Sequence, residues 1–269
     1  MGKPNLSDIV ARRVERGRLV YYKRTADAAY WDEHWNKQIR PELYVQALAG
    51  KLGAFEELFT KYLPTDERIL EAGCGLAQWV IALRKRGHDI EGVDWGKETI
   101  ERVHRIFPDL PIRSGDVCAL DVEDGFYGAY ISMGVVEHRA AGPEPFLTEA
   151  FRVLKPGGIA IFSVPWFNPL RRLKAWAGCF NGNDVRGMEF YQYAFRAREM
   201  EDKLATAGFK VVETKSSRNL KMGFEDELPF LDEVYRRGVL GRILKRLIRK
   251  RGYAARFFGH SRIYVCRKS

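Results

Sequence analysis

Between residues 68 and 164 the sequence alternates short apolar runs with helical stretches, and few folds accept that alternation. The apolar runs fall near 68–72, 89–93, 111–114, 127–132 and 158–164, and the helical stretches near 77–86, 97–106 and 143–154. Parallel strands need a crossover between them, and a helix is the usual one. Strand, helix, strand, repeated, therefore predicts an α/β fold: a mostly parallel sheet with helices on both faces. "FKVVETKSS" and "SRIYVCRK" predict two more strands near the C-terminus, seven in all. Residues 1–66 read as a helical extension ahead of a domain spanning 67–269. In "PELYVQALAGKLGAFEELFTKYL", Leu48, Leu52, Phe55, Phe59 and Tyr62 recur at three- and four-residue steps, the mark of one buried helix face.

The 269 residues, 46% of them hydrophobic, suffice for one large domain with attachments. Cys74, Cys118, Cys179 and Cys266 lie far apart, without zinc-ligand spacing or a disulfide framework. The first residues lack the apolar core of a secretory signal, and no apolar stretch approaches the ~18 to 20 residues of a membrane span. The expectation is a reduced, cytoplasmic protein. Its net charge of +10 is unevenly spread: residues 236–256, "RRGVLGRILKRLIRKRGYAAR", are dense in Arg and Lys and hold no acid.

The first predicted strand runs into "EAGCGLA". Gly73 and Gly75 allow a sharp backbone turn and close approach of a ligand, and the first strand–helix turn is the favoured ligand site in such sheets. The second strand ends in Asp94, placed to accept both hydroxyls of a ribose. Gln78 stands where a dinucleotide fingerprint has its last glycine, and no G-x-x-x-x-G-K-[ST] phosphate loop exists. Alone, the two glycines could equally mark a plain turn. They are followed in order by "VDW", "GDV", "VVEH" and "LKPGG".

That series, over roughly residues 66–217 and 261–268, resembles the class I S-adenosylmethionine-dependent methyltransferases, in their small-molecule branch. The resemblance implies a Rossmann-like seven-stranded sheet of order 3-2-1-4-5-7-6, with strand 7 antiparallel. S-adenosylmethionine would be the cofactor and S-adenosylhomocysteine the product. Glu71, Gly73 and Gly75 would line the methionine part, and Asp94 would hold the ribose. Trp95 would pack on the adenine face, Asp116 and Val117 would contact the adenine, and Met133 would sit beside ribose and adenine. Glu71 could instead partner a helix dipole, and Trp95 could be a surface cap. Ala77 stands at the third glycine position of the motif, a departure expected to be tolerated.

A hydroxyl acceptor benefits from a base near neutrality, which singles out His138 after the fourth strand; the other reading is a structural hydrogen bond. Relatives that bind a divalent metal carry E-x-x-E-H. Here Gly134 replaces the first glutamate, so no metal is expected. The accessory segments should select the substrate. "AAYWDEHWNK" offers Tyr30, Trp31, His34 and Trp35, either closing over the cofactor, with Trp31 against it and His34 near the acceptor, or packing on the sheet edge. Residues 165–195 are expected to form a lid insertion that turns Tyr191 and Tyr193 toward the pocket. A basic helical insertion is expected at 218–260. There Val239, Leu240, Ile243, Leu244, Leu247 and Ile248 form an apolar stripe, either meeting an anionic membrane surface or folding back as a packed lid. The expected activity is methyl transfer to an oxygen of a small amphipathic, anionic or lipid- or sugar-linked acceptor. An RNA methyltransferase using the basic segment and a non-catalytic cofactor-binding scaffold are the other readings, nucleic acid being disfavoured by the lack of aromatics interleaved with the charge. Monomer and homodimer stay open.

Overall fold

The computed structural model describes residues 11–23, 28–36, 41–181, 184–216, 257 and 259–269. Its main sheet has seven strands: β3 (Ile69–Ala72), β4 (Ile90–Asp94), β5 (Ile112–Ser114), β6 (Tyr127–Met133), β7 (Leu154–Pro165), β9 (Phe209–Ser216) and β10 (Ser261–Lys268). They lie in the order β5-β4-β3-β6-β7-β10-β9, the order 3-2-1-4-5-7-6 that the resemblance implied. β3 to β7 pair in parallel, and β10 runs antiparallel to both β7 and β9.

Strand alternation divides the interior into two cores, because successive side chains point to opposite faces. Ile69, Ile131, Ile161 and Ile263 face one side. It is covered by α2 (Pro41–Leu48), α3 (Glu56–Tyr62), α4 (Gln78–Arg84) and α5 (Lys97–Ile106). Leu70, Tyr130, Phe162 and Tyr264 face the other, under α6 (Glu144–Val153) and α8 (Ala197–Thr206). Both faces are buried, so the central strands read as continuous apolar runs. The segment 41–62 is not one helix. Gly50 and Gly53, at φ +65 and +57, break it, and Leu48 is left 44% exposed while Leu52 and Phe59 are buried.

The expected helical extension is also wrong for residues 11–23. They form a hairpin of β1 (Ala11–Glu15) and β2 (Arg18–Lys23), turned at Arg16 and Gly17, which both have positive φ. Two adjacent left-handed residues give the tight turn whose twist suits a hairpin. β2 also pairs with β8 (Glu189–Ala194), and the 165–195 segment holds α7 (Pro169–Trp176) and this strand of a second, three-stranded sheet. Leu19, Val20 and Tyr21 are all buried. A middle strand covered on both faces shows no two-residue alternation, which is why the hairpin was hidden. Helix α1 (Ala28–Asn36) follows it, as the aromatic stretch predicted. The 218–260 insertion, with its basic stripe at 236–256, lies outside the described residues except at 257, 259 and 260.

Candidate active site

The upper edge of the main sheet, where β3 to β7 end, opens into a cleft of about 2030 Å³. It runs from Asp116 after β5 to Lys215 on β9. A single small-molecule site takes roughly 300–1,000 Å³, so the cleft has room for two ligands side by side.

The turn after β3 forms its floor. The N–H groups of Gly73 and Cys74 both donate to Val93 O, at 2.7 and 3.1 Å, which bends the chain away from the strand. Gly73 has φ +80, and a Cβ there would stand 2.3 Å from Val135 Cγ2. Gly75 has φ +48, and a Cβ there would meet the Trp35 ring at 2.8 Å. Ala77 adopts φ +56 at the third glycine position, so the departure is accommodated in a left-handed turn ahead of α4.

Asp94 pins this turn from β4. Its Oδ2 accepts the Gly75 N–H at 2.8 Å and its Oδ1 the Gly96 N–H at 2.9 Å. Glu71 accepts the Val80 N–H of α4 at 3.1 Å while also lining the cleft, so the two readings of that residue coexist. Burial raises the carboxyl pKa of Glu71 well above its usual range, against the Val80 hydrogen bond, and Asp94 pushes it further. Burial likewise raises Asp94, opposed by the Gly96 and Gly75 N–H groups. Asp32 adds to the rise at Asp94, and two buried acids so disposed make a site suited to a cation. Trp95, 73% exposed, stands at the rim; Asp116 is exposed and accepts the Cys118 N–H at 2.8 Å; Val117 is buried and Met133 half-buried. All four line the cleft.

Helix α1 brings Trp31, His34 and Trp35 to the cleft wall. His34 stacks on Tyr30 at 5.8 Å and meets Trp35 edge-on at 5.2 Å. One tie that holds α1 there is Asp32, to which the sequence gives no local signal. Helix α5 begins after Gly96, which has no side chain to cap it. Asp32 Oδ1 does so instead, accepting from Thr99 N at 2.9 Å and Thr99 Oγ1 at 2.7 Å. A lost cap costs about 0.5–2 kcal/mol. Asp32→Ala is expected to lower the melting temperature and, by freeing α1, to weaken S-adenosylhomocysteine binding roughly five- to tenfold in calorimetric titration. Asp32→Asn, which keeps the acceptor oxygen, restores both. Wild-type affinity in Asp32→Ala would show that α1 holds no ligand.

His138 and Tyr191 meet across the two sheets. His138 Nδ1 lies 2.8 Å from Tyr191 O. A carbonyl only accepts, so Nδ1 carries the proton, and in the neutral ring Nε2 keeps the lone pair. Trp31 packs edge-on against His138 at 4.6 Å and stacks on Tyr191 at 6.0 Å. Lys23 Nζ sits 4.0 Å over the Tyr191 ring, a contact invisible while the hairpin was read as helix. Tyr193 does not line the cleft. Tyr21 and Tyr22 pair with Gln192 and Phe190, so Tyr191 is an extra, bulged residue that breaks the alternation of β8. The Tyr193 hydroxyl donates to Ala140 O at 2.7 Å, and its ring lies under Arg18 at 4.9 Å.

Burial lowers the His138 pKa to about 4, so the ring is neutral at physiological pH. Its neighbour Glu137 is 2% exposed, its Oε2 lacks a hydrogen-bond partner among the described residues, and burial raises its pKa to about 8. Glu137 thus binds a proton in the folded state that the unfolded chain releases above about 4.5. Its contribution makes stability fall as pH rises through that window to 8. His138 acts oppositely from about 4 to 6.5, where the unfolded chain binds the extra proton. The two offset below pH 6.5. Between 6.5 and 8 the Glu137 slope is no longer offset by His138, and contributes up to about 1.4 kcal/mol per pH unit. Glu137→Gln is expected to flatten it in denaturant titrations across that range; an unchanged slope would refute the buried acid.

The Methyltransferase domain family matches residues 44–214, more than half of the chain. The chain belongs to the class I S-adenosylmethionine-dependent methyltransferases. A Mycolicibacterium smegmatis protein described as a "probable S-adenosylmethionine-dependent methyltransferase" is 30% identical over 149 residues, 54% of this chain and 53% of that protein. The chain thus spans about half the length of that relative. A ubiquinone biosynthesis O-methyltransferase of Ruegeria pomeroyi is 27% identical over 205 residues, covering 70% of this chain and 80% of the relative. Among solved structures, the geranyl diphosphate C-methyltransferase of Streptomyces coelicolor, with Mg2+, geranyl diphosphate and S-adenosyl-L-homocysteine, superposes with a TM-score of 0.56 at 17% identity. It covers 90% of this chain and 98% of that one. The residues present fit S-adenosylmethionine: a tight two-glycine turn with no room for side chains, and the buried acids Glu71 and Asp94 in the cleft wall, suited to a molecule that carries a sulfonium and an ammonium.

Proposed function

We propose that the chain transfers the methyl group of S-adenosylmethionine to an oxygen of a small amphipathic acceptor, with His138 as the base. The observation that carries this reading is the fixed tautomer of His138: Tyr191 O holds Nδ1–H, and Nε2 is left to take a proton. When bound, the cofactor supplies a methyl group already activated on a sulfonium, so the protein's part is positioning and proton handling.

Glu71, Gly73 and Gly75 would hold the amino-acid end. Asp94 would take the ribose hydroxyls on the lone pairs that Gly75 and Gly96 leave over, and Trp95, Asp116, Val117 and Met133 would border the adenine. Trp31, Trp35 and Tyr191 exclude water from the acceptor side. Within that aromatic wall His138 Nε2 accepts the hydroxyl proton as the oxygen attacks the methyl in line, and burial keeps the ring neutral beforehand. The Ruegeria relative, an O-methyltransferase by description, supports oxygen as the acceptor atom. The test is labelled-methyl transfer from S-adenosylmethionine into fractionated cell extract. Label in a small organic-extractable product is expected. Label in RNA would replace this reading with the nucleic-acid one, and cofactor binding with no labelled product in any fraction would leave a scaffold.

A further inference from the structure

We propose that the groove between β1 and α7 is a docking face for an anionic lipid bilayer. α7 is held to the body by its inner face. Leu170 and Arg171 are buried, and Arg171 donates to Trp166 O at 2.8 Å and to His260 O at 3.2 Å. Its cap is complete too, with Asn168 Oδ1 accepting the Arg171 N–H at 2.8 Å. The outer face is exposed, yet it is not polar. Leu173 is 53% and Trp176 86% exposed, and Val14 of β1, 37% exposed, lines the same groove of about 720 Å³.

The rim of this apolar patch is cationic. Arg172 and Arg196 line the groove and are exposed, as are Arg13 and Arg16 on the hairpin. α7 contains no acid. β1 contains one, Glu15, which accepts the Tyr22 hydroxyl at 2.8 Å. Glu199 on α8, next to the groove's Arg196, is bound by the Arg18 guanidinium. Tryptophan and leucine tips inside an arginine collar match a headgroup boundary, where the indole sits among headgroups and the guanidinium groups meet lipid phosphates. A bilayer needs no shape complementarity, which suits a shallow groove with three separate apolar tips.

The position gives the face a use. Pro169 lines both this groove and the cleft, so the docking face adjoins the acceptor end of the site. An amphipathic acceptor could pass from the bilayer into the cleft beside α7. The binding itself is independent of methyl transfer and stands or falls without it.

Co-sedimentation of the full chain with phosphatidylcholine vesicles, with and without phosphatidylglycerol, tests this. Binding is expected only with the anionic lipid and is expected to weaken as salt rises. An arginine near an anionic surface is worth about fivefold in partition. Arg172→Glu, which removes one charge and adds its opposite, should cost on the order of tenfold or more. The double variant Leu173→Ser with Trp176→Ala should lose a similar factor, while melting temperature and S-adenosylhomocysteine affinity stay at wild-type values in both. A wild-type chain that ignores anionic vesicles would overturn the proposal. So would variants that bind as tightly as wild type, which would move any membrane contact to another basic stretch such as 236–256.

Discussion

Asp94→Ala is expected to weaken S-adenosylhomocysteine binding roughly a hundredfold in calorimetric titration, a loss of about 2.7 kcal/mol. Two effects add. The ribose hydroxyls would lose a charged acceptor, worth about 1.5–3 kcal/mol. The same carboxylate also positions the floor of the site, holding the N–H groups of Gly75 and Gly96. Without it two backbone donors lose their partners, so a lower melting temperature accompanies the weaker binding. Asp94→Asn fails for a related reason: both native oxygens accept from N–H groups, and an amide can accept at only one end. Because burial raises the Asp94 carboxyl, affinity should fall on acidification at a pH above the ordinary carboxylate range. An Asp94→Ala protein with wild-type affinity would remove the ribose assignment, and with it the reading of the cleft.

His138→Ala is expected to lower kcat by about 10²–10⁴, the usual worth of a positioned general base, and to leave S-adenosylhomocysteine affinity near wild type. The side chain bonds to β8 through Tyr191 O rather than to any residue of the glycine turn, so its removal should spare the cofactor half. The pH profile separates catalysis from a merely structural role. The ring must be neutral to accept a proton, and its pKa is lowered to about 4. The wild-type rate should therefore stay flat on the acid side down to about pH 5. A break near 6.5 would mean that burial does not control the ring, and full activity in His138→Ala would return it to holding the loop.

Both variants probe residues that the sequence already exposed, and they were legible for a reason. The strand–helix alternation, the two-glycine bend and the acid at the end of β4 are written locally. Gly73 and Gly75 occupy conformations disfavoured for other residues, and each parallel strand demands its own crossover. The seven-strand order followed from the resemblance those motifs carry. The hairpin at 11–23 was not legible, because β2 lies between two strands with both faces covered and loses the alternation that marks a strand. Asp32 and Lys23 were missed because their partners, Thr99 and Tyr191, lie far along the chain. Tyr193 was misplaced because one bulged residue in β8 shifts which side chains face the cleft.

By itself, then, the sequence determined the α/β sheet and the cofactor turn, since steric limits on glycine and the periodicity of buried side chains act over a few residues. Only the tertiary structure decided which aromatics line the cleft, which nitrogen of His138 keeps its lone pair, and what helps hold α1 in place. Each of those depends on two segments brought together across the fold, where a single bulge or a single hydrogen bond sets the outcome.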